Sequence, residues 1–475
     1  MWLLACWAIL KTLVIGYALL VAARQIERRA GGRSWLVVLV LAAGIRLVWL
    51  VVVNAPPTGD AAWYFGRASE LAAGLGYQLD GHPTARLAPG WPLLLSIAYR
   101  VVGPSVLLGR LVNWAFSVAT VGLVWAIAAR LYDRRVASVA ALATAVWPGE
   151  IPYAGVLLSE PFFGVLFLGA FWLSLRLGST QAWRARACAS GVLLGVAALT
   201  RPVALLYAPL TALVAWLRGA GALRAIAAAC LAALAVGAVV APWTARNARV
   251  FHAFVPVATS GGLALWEGNN PRATGLPHDA TVEPYPDVRD EAERDRLAGR
   301  DAKTYIRENP GRAMSLFFAK LYRTFETDIE VLDSTLSSGR YPWRAALTVL
   351  GPLATTYFNA MMLLFCGFLA SPLWAGAPRD WRPWGLVVMP VAYFALVQAP
   401  FVAQYRYNYP ALPFVAIGAA VTLVRAADRM RPPAGTPVGQ GFPPPRGGTA
   451  SRATARPAAV QLMSVNEGGQ PCQTS

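Results

Sequence analysis

Long apolar runs separated by short arginine-bearing breaks make up most of this chain. A helix needs about 20 apolar residues to cross the hydrocarbon of a bilayer. The candidate crossings are Trp2 to Ala22, Trp35 to Val53, Ser105 to Ala129, Val136 to Pro152, Gly155 to Leu175, Ala187 to Thr200, Val203 to Leu217, Ala225 to Ala241, Ala345 to Ala370, Trp384 to Ala399 and Tyr409 to Val424. That is about eleven transmembrane helices. The pattern predicts an all-α polytopic membrane protein whose outer-face loops carry short amphipathic helices.

Arginine orients these crossings, because short cytoplasmic loops are enriched in it. Arg24, Arg28, Arg29 and Arg33 place the first loop in the cytoplasm. Alternation then brings Arg130 with Arg134 and Arg135, Arg176 with Arg184 and Arg186, Arg218 with Arg224, Arg379 with Arg382, and Arg425 with Arg429 and Arg431 to the same side. The plan requires that Gly90 to Gly103 not cross. With Pro89, Pro92 and Arg100, that stretch is expected as a short helix lying on or dipping into the outer surface. The N-terminus is expected outside.

Five pieces then share the outer face: Asn54 to Gly90, Trp147 to Glu160, Thr200 to Pro202, Pro242 to Trp343, and Gln404 to Asn408. The expected organisation is a membrane domain over 1–428, with a first outer loop at 54–104 and a long outer loop at 242–344. A tail over 429–475, rich in Pro, Gly, Thr and Ala, is expected to be disordered and cytoplasmic.

Composition agrees with this plan. Of 475 residues, 56% are hydrophobic and 14% charged, and the mean hydropathy is +0.47, outside the range of a soluble domain. The net charge of +18 gathers in short loops and sets topology, so it argues against a nucleic-acid partner. The five cysteines show no paired spacing for a disulfide framework or a zinc site.

Acids are scarce outside the long loop, which isolates Asp60 and Glu160. Asp60, in Thr58-Gly59-Asp60-Ala61-Ala62-Trp63-Tyr64, follows the exit of an apolar segment from the bilayer. A charge beside lipid is costly and marks a functional candidate; a helix cap is the alternative reading. Glu160, in Leu158-Ser159-Glu160-Pro161, stands near the outer end of an apolar helix. It reads either as a group facing a polar cavity or as an acid favoured by the helix dipole.

Basic candidates on the same face are Arg86, Arg201, Lys320 and Arg406. Arg406, between Tyr405 and Tyr407, offers a planar fork for phosphate oxygens, or else an interfacial anchor in an aromatic belt. Trp266 and the Asn269-Asn270-Pro271 turn could stack on and hydrogen-bond a sugar, or simply shape a loop. His82, His252 and His278 show no ligand spacing, and no metal ligands are expected.

Taken in order, these motifs resemble the membrane glycosyltransferases that use polyprenyl-phosphate sugars, of the GT-C type: bacterial relatives of protein mannosyltransferases, aminoarabinose lipid A transferases and galacturonosyltransferases of lipid A and core. The matching pieces are Gly59-Asp60, Pro89-Gly90-Trp91-Pro92-Leu93, Leu158-Ser159-Glu160-Pro161, Thr200-Arg201-Pro202, Pro242 to Asn247, Gly268-Asn269-Asn270-Pro271, and Arg406-Tyr407 before Pro410 and Pro413. They cover most of the chain up to Val424.

The resemblance implies an inverting transfer of a sugar from a polyprenyl-phosphate donor to a hydroxyl of an extracytoplasmic lipid, glycan or protein. Asp60 corresponds to the catalytic base and Glu160 to a supporting acid. Arg406 corresponds to a phosphate-contacting arginine, with Arg86, Lys320 and Arg201 as further donor-phosphate residues. Tyr64, Trp266, Asn269 and Tyr405 are expected at the acceptor or sugar. A divalent cation beside Asp60 and Glu160 is compatible with that class. Many relatives carry Asp-Glu where this chain has Asp60-Ala61, which leaves the acceptor class open. The implied location is the plasma (inner) membrane, with the site on its extracytoplasmic face. A transporter or flippase is the rival reading, although no repeated half with paired broken helices is visible. A binding or assembly protein without activity is another.

Overall fold

The computed structural model describes residues 2–178, 181–277, 284–338, 344–374 and 380–430. Contacts divide the chain into Met1–Met430 and Arg431–Ser475. The expected disordered tail, from residue 431 on, lies outside the described residues, as do His278, Arg379 and Cys472.

The first unit is helical almost throughout. Helix α1 (Trp2–Ala30) turns through a 3₁₀ segment, Gly31–Arg33, into α2 (Ser34–Val52). Then come α3 (Gly59–Ala72), α4 (Gly90–Val102), α5 (Val106–Leu131), α6 (Arg134–Ala145), α7 (Glu160–Ser174), α8 (Trp183–Thr200), α9 (Leu210–Leu217) and α10 (Ala222–Phe251). The long loop after it holds α11 (Gly261–Gly268), α12 (Glu291–Glu308), α13 (Pro310–Thr324) and α14 (Glu330–Ser337). The first unit closes with α15 (Arg344–Leu369), α16 (Ser371–Trp374), α17 (Arg382–Gln398) and α18 (Leu412–Arg429). The sheet among the described residues is one small antiparallel hairpin, β1 (Gln78–Leu79) with β2 (His82–Pro83).

By length and composition, four segments could cross a membrane: Cys6–Val52, Val106–Leu131, Ala222–Phe251 and Ala345–Leu369. Gly90–Val102 and Glu160–Ser174 are apolar but shorter. The chain is a multi-pass membrane protein; the expectation of eleven crossings is not reproduced as eleven long helices. Two of those runs break for a local reason. Val136 to Pro152 is helical only to Ala145, because Pro148, Gly149 and Pro152 follow. Val203 to Leu217 becomes a 3₁₀ segment, Pro202–Tyr207, and the eight-residue α9, with Pro202 and Pro209 at the two starts.

The core sits around α18. Its residues Ala416, Ala419 and Ala420 are buried, and such small side chains let α6, α5, α15 and α17 approach closely. Phe163, Phe167 and Phe171 of α7 interlock with Phe394 of α17, Phe414 of α18 and Tyr207. Leu13, Val40, Val48 and Leu234 stay exposed on the outer surface of the bundle, as lipid-facing positions do.

Candidate active site

Asp60 is placed by a backbone device. Thr58 precedes α3 as its N-cap without a side-chain cap bond, and Gly59 takes φ +53, a left-handed value that glycine adopts without strain. The cap reading of Asp60 therefore does not describe it: its carboxylate lies in the first turn and reaches outward to Arg406.

Arg406 sits in the 3₁₀ segment Tyr405–Asn408 ahead of α18. Its guanidinium addresses three acids from three helices. Nη2 donates to Asp60 Oδ2 at 2.6 Å, Nη1 lies 3.9 Å from Glu160 Oε1, and Nε lies 3.5 Å from Glu330 Oε1. Nε also donates to Gln404 Oε1 at 2.8 Å, and the Arg406 amide donates to Glu330 Oε2 at 3.1 Å. Burial opposes the charge of Arg406, but Glu160 and then Asp60 outweigh it and hold the guanidinium well above its ordinary value. Burial pushes the Glu330 carboxyl up, against the pull of Arg406.

Glu160 is 1% exposed at the start of α7. Its Oε1 pairs with Arg201 Nη1 at 2.8 Å, outside hydrogen-bond geometry, so neither carboxylate oxygen has a hydrogen-bond donor. Arg201, at the break between α8 and the following 3₁₀ segment, also stacks over the Tyr407 ring at 5.2 Å. Its burial is outweighed by Glu160, which raises its pKa.

Beside these groups opens a cavity of about 290 Å³, lined by residues 55–61, 155–158, Arg110, Glu330, Ser334, Thr335 and Arg406 among others. The wall at 155–158 is pinned by Asn113 of α5, whose amide donates to Val156 O at 2.6 Å and Leu158 O at 2.9 Å, and by Trp91, which donates to Leu157 O at 3.1 Å. The Pro89 to Leu93 motif thus holds a wall of the cavity. The Pro242 to Asn247 motif is likewise a brace: Arg246 donates to Tyr77 O and Thr84 O, tying α10 to the first loop.

No family profile and no curated protein matches the chain. Among solved structures, the oligosaccharyltransferase AglB from Archaeoglobus fulgidus, in complex with an inhibitory peptide and a dolichol-phosphate, is similar at TM-score 0.52. Identity there is 13%, over 83% of this chain and 50% of AglB. The apo form of the same oligosaccharyltransferase gives 0.51 and 13%, over 84% of this chain and 51% of the other. This is the GT-C fold. ArnT from Cupriavidus metallidurans bound to undecaprenyl phosphate gives TM-score 0.40 at 17% identity, over 83% and 76%. The chain spans about half the length of the oligosaccharyltransferase it matches.

On this GT-C frame, the structure brings Asp60, Glu160, Arg201 and Arg406 together, keeps Tyr64 beside them, and gives Arg86, Lys320, Trp266, Asn269 and the Tyr405 hydroxyl other partners or another cavity. Tyr64 is buried nearby, its hydroxyl 3.5 Å from Ser159 Oγ and its pKa pushed up to about 12 by burial. Arg86 lines a different, wider cavity with His82, Phe251 and Arg289. Lys320 is 1% exposed, and its Nζ donates to Gly268 O, Asn269 Oδ1 and Pro400 O at 2.8–3.1 Å. That bonding leaves no N–H of Lys320 for a phosphate. The Asn269 amide nitrogen is also committed, to Leu265 O and Pro400 O. Trp266 lies in α11 and accepts at its carbonyl from Asn270. Tyr405 points its hydroxyl at Glu326, 3.4 Å away.

Two site residues escaped sequence reasoning. Glu330 was hidden among the many acids of the long loop. Arg110 carried a readable signal, an arginine inside an apolar span; it is buried and donates to Asn54 Oδ1 and Ala55 O at the cavity wall. A divalent cation beside Asp60 and Glu160, which the sequence left open, does not suit the donor set. Asp60, Glu160 and Glu330 all face guanidinium groups, and among the described residues no cluster of three or more His, Cys, Asp or Glu could hold a metal.

Proposed function

We propose that this protein moves a sugar from a polyprenyl-phosphate donor to a hydroxyl of an extracytoplasmic acceptor, with Asp60 as general base. The observation that carries the reading is the Asp60–Arg406 pair at the mouth of a cavity. It sets a carboxylate beside a guanidinium where a proton and a phosphate would have to be handled. The GT-C fold supports it, and so does the dolichol-phosphate bound to AglB.

The acceptor oxygen attacks the anomeric carbon while the bond from that carbon to the phosphate oxygen breaks. Asp60 takes the hydroxyl proton, and polyprenyl phosphate leaves with the bonding electrons. Arg406, preorganised by Glu330 and Gln404, neutralises the charge growing on the phosphate. A single displacement inverts the anomeric configuration. Glu160, itself paired with Arg201, offers Arg406 a second acid at 3.9 Å.

Purified protein given a labelled polyprenyl-phosphate sugar should release polyprenyl phosphate and, with the right hydroxyl acceptor, an inverted glycoside. Movement of the intact lipid-linked sugar across proteoliposomes with no release would instead mark a flippase. A cysteine placed between Asn54 and Gly90 should react with thiol reagents from the extracytoplasmic side; reaction only from the cytoplasm would overturn the location in the plasma membrane proposed for the site.

A further inference from the structure

Behind Glu330 lies a second buried polar cluster, which the proposed displacement does not use. Trp147, fully buried in the turn after α6, donates Nε1 to Asp328 Oδ2 at 2.5 Å. Asp328 is 5% exposed, and its other oxygen, Oδ1, has no partner. Gly149 makes room for it: a Cβ there would stand 2.8 Å from Oδ1, so the carboxylate fills the place of a side chain. The Trp147 ring is fixed edge-on by Tyr357 at 5.5 Å, whose hydroxyl donates to Ala143 O at 2.8 Å. Arg46 anchors the same turn by donating to Ala145 O at 2.7 Å and Thr144 O at 3.1 Å. Its Nη1 supplies Ala145 O, a carbonyl at the end of α6, and its Nη2 adds a second donor to Thr144 O, which also accepts from Trp147 N.

The chain runs from this anchor straight into the site. Glu330 is two residues beyond Asp328, at the start of α14, where the N-cap Ile329 makes no side-chain cap bond. Thr327 O accepts from Asn408 Nδ2 at 3.0 Å, and Glu330 Oε2 accepts the Arg406 amide at 3.1 Å. Two rungs therefore join Thr327–Glu330 to the Arg406 turn, and the Trp147 hydrogen bond ties that ladder to the turn after α6, beside the apolar packing of Val331, Leu332 and Leu336 of α14.

We propose that the Trp147–Asp328 hydrogen bond positions Glu330 against Arg406, and so fixes the guanidinium over Asp60. Trp147 and Asp328 are then positioning residues for transfer, acting through Glu330. The inference rests on the transferase reading. Its physical weight is that a misplacement of about 1 Å costs on the order of a hundredfold in rate; the apolar side chains of α14 hold the helix after Glu330, and the Trp147 hydrogen bond holds the segment before it.

Three variants separate the bond from the charge and from packing. Trp147→Phe keeps the ring against Tyr357 and loses the donor; Asp328→Leu loses the acceptor; Asp328→Asn keeps an acceptor oxygen and loses only the charge. With saturating donor, Trp147→Phe and Asp328→Leu should each lower kcat by about tenfold, while Asp328→Asn stays within about twofold of wild type. The double variant should be no slower than the slower single one, and in a Glu330→Ala background, which removes the acceptor of the Arg406 amide, Trp147→Phe should cost nothing more. Hydrogen–deuterium exchange gives a readout that needs no turnover: the Arg406 amide should lose protection in Trp147→Phe and Asp328→Leu but not in Asp328→Asn. Full kcat and full Arg406 protection in Trp147→Phe would overturn the proposal, as would equal losses in Asp328→Asn and Asp328→Leu. A wild-type protein that transfers no sugar but shows the exchange pattern would sink the transferase reading and leave the tether standing.

Discussion

Arg406 Nη2 lies 2.6 Å from Asp60 Oδ2, across 346 positions of sequence. The same guanidinium also faces Glu160 and Glu330, so one arginine is shared by acids from α3, α7 and α14. The pair sets a carboxylate directly beside a guanidinium, the arrangement on which the proposed transfer rests.

Asp60→Asn retains the size of the side chain and an acceptor for Arg406 but cannot take a proton. Release of polyprenyl phosphate should fall by about 10²–10⁴-fold, measured as an initial rate on protein that elutes as wild type does in detergent. A rate close to wild type would remove Asp60 as the base.

Arg406→Ala should raise the KM for the lipid donor and also weaken the fold, since it strips a shared counter-charge from three acids. Arg406→Lys should fall between the two, because an ammonium restores charge without the planar fork. Donor titrations run beside thermal denaturation would separate these effects; an unchanged donor KM in both variants would end the phosphate assignment.

Lys320 should matter for stability and not for the donor. Lys320→Met leaves Gly268 O, Asn269 Oδ1 and Pro400 O short of a donor, and the loss should be about 2–4 kcal/mol. The denaturation midpoint should drop while the donor KM of the folded fraction holds. A selective rise in KM would return Lys320 to the phosphate.

Stability should depend on pH through Asp328. Burial raises its carboxyl to about 7, against about 3.9 in an unfolded chain. Between those values the folded state binds the extra proton, so the contribution of Asp328 to stability is full below about pH 4 and declines as pH rises towards 7, by up to about 4 kcal/mol. Trp147 and Gly149 face this group, and Glu150 lies close enough to interact with it. Thermal scans from pH 4.5 to 7.5 should show the decline in wild type and a flatter profile in Asp328→Asn. Equal slopes would show that Asp328 does not titrate there.

Much of the fold was legible because it depends on local composition. Apolar runs gave the helical segments, and α4 formed close to the stretch Gly90 to Gly103 read for it. The turn after α6 and the split before α9 were legible in outline, through Pro148, Pro202 and Pro209, but a hydropathy window passes over single prolines. Asp60, Glu160 and Arg406 stood out because a charge in an apolar setting is rare. Glu330 did not, since its neighbours are acidic too.

By itself, then, the sequence determined a multi-pass helical bundle and the identity of its few isolated charges, because both follow from the cost of placing each residue in lipid or water. Only the tertiary structure decided which of those charges meet. Asp60, Glu330 and Arg406 converge because α3, α14 and the turn before α18 meet at one cavity, and Glu160 at the start of α7 lies 3.9 Å from the same guanidinium. Lys320, equally conspicuous in sequence, is folded onto carbonyl oxygens instead. Contacts between positions hundreds of residues apart depend on how helices pack, which no local pattern encodes.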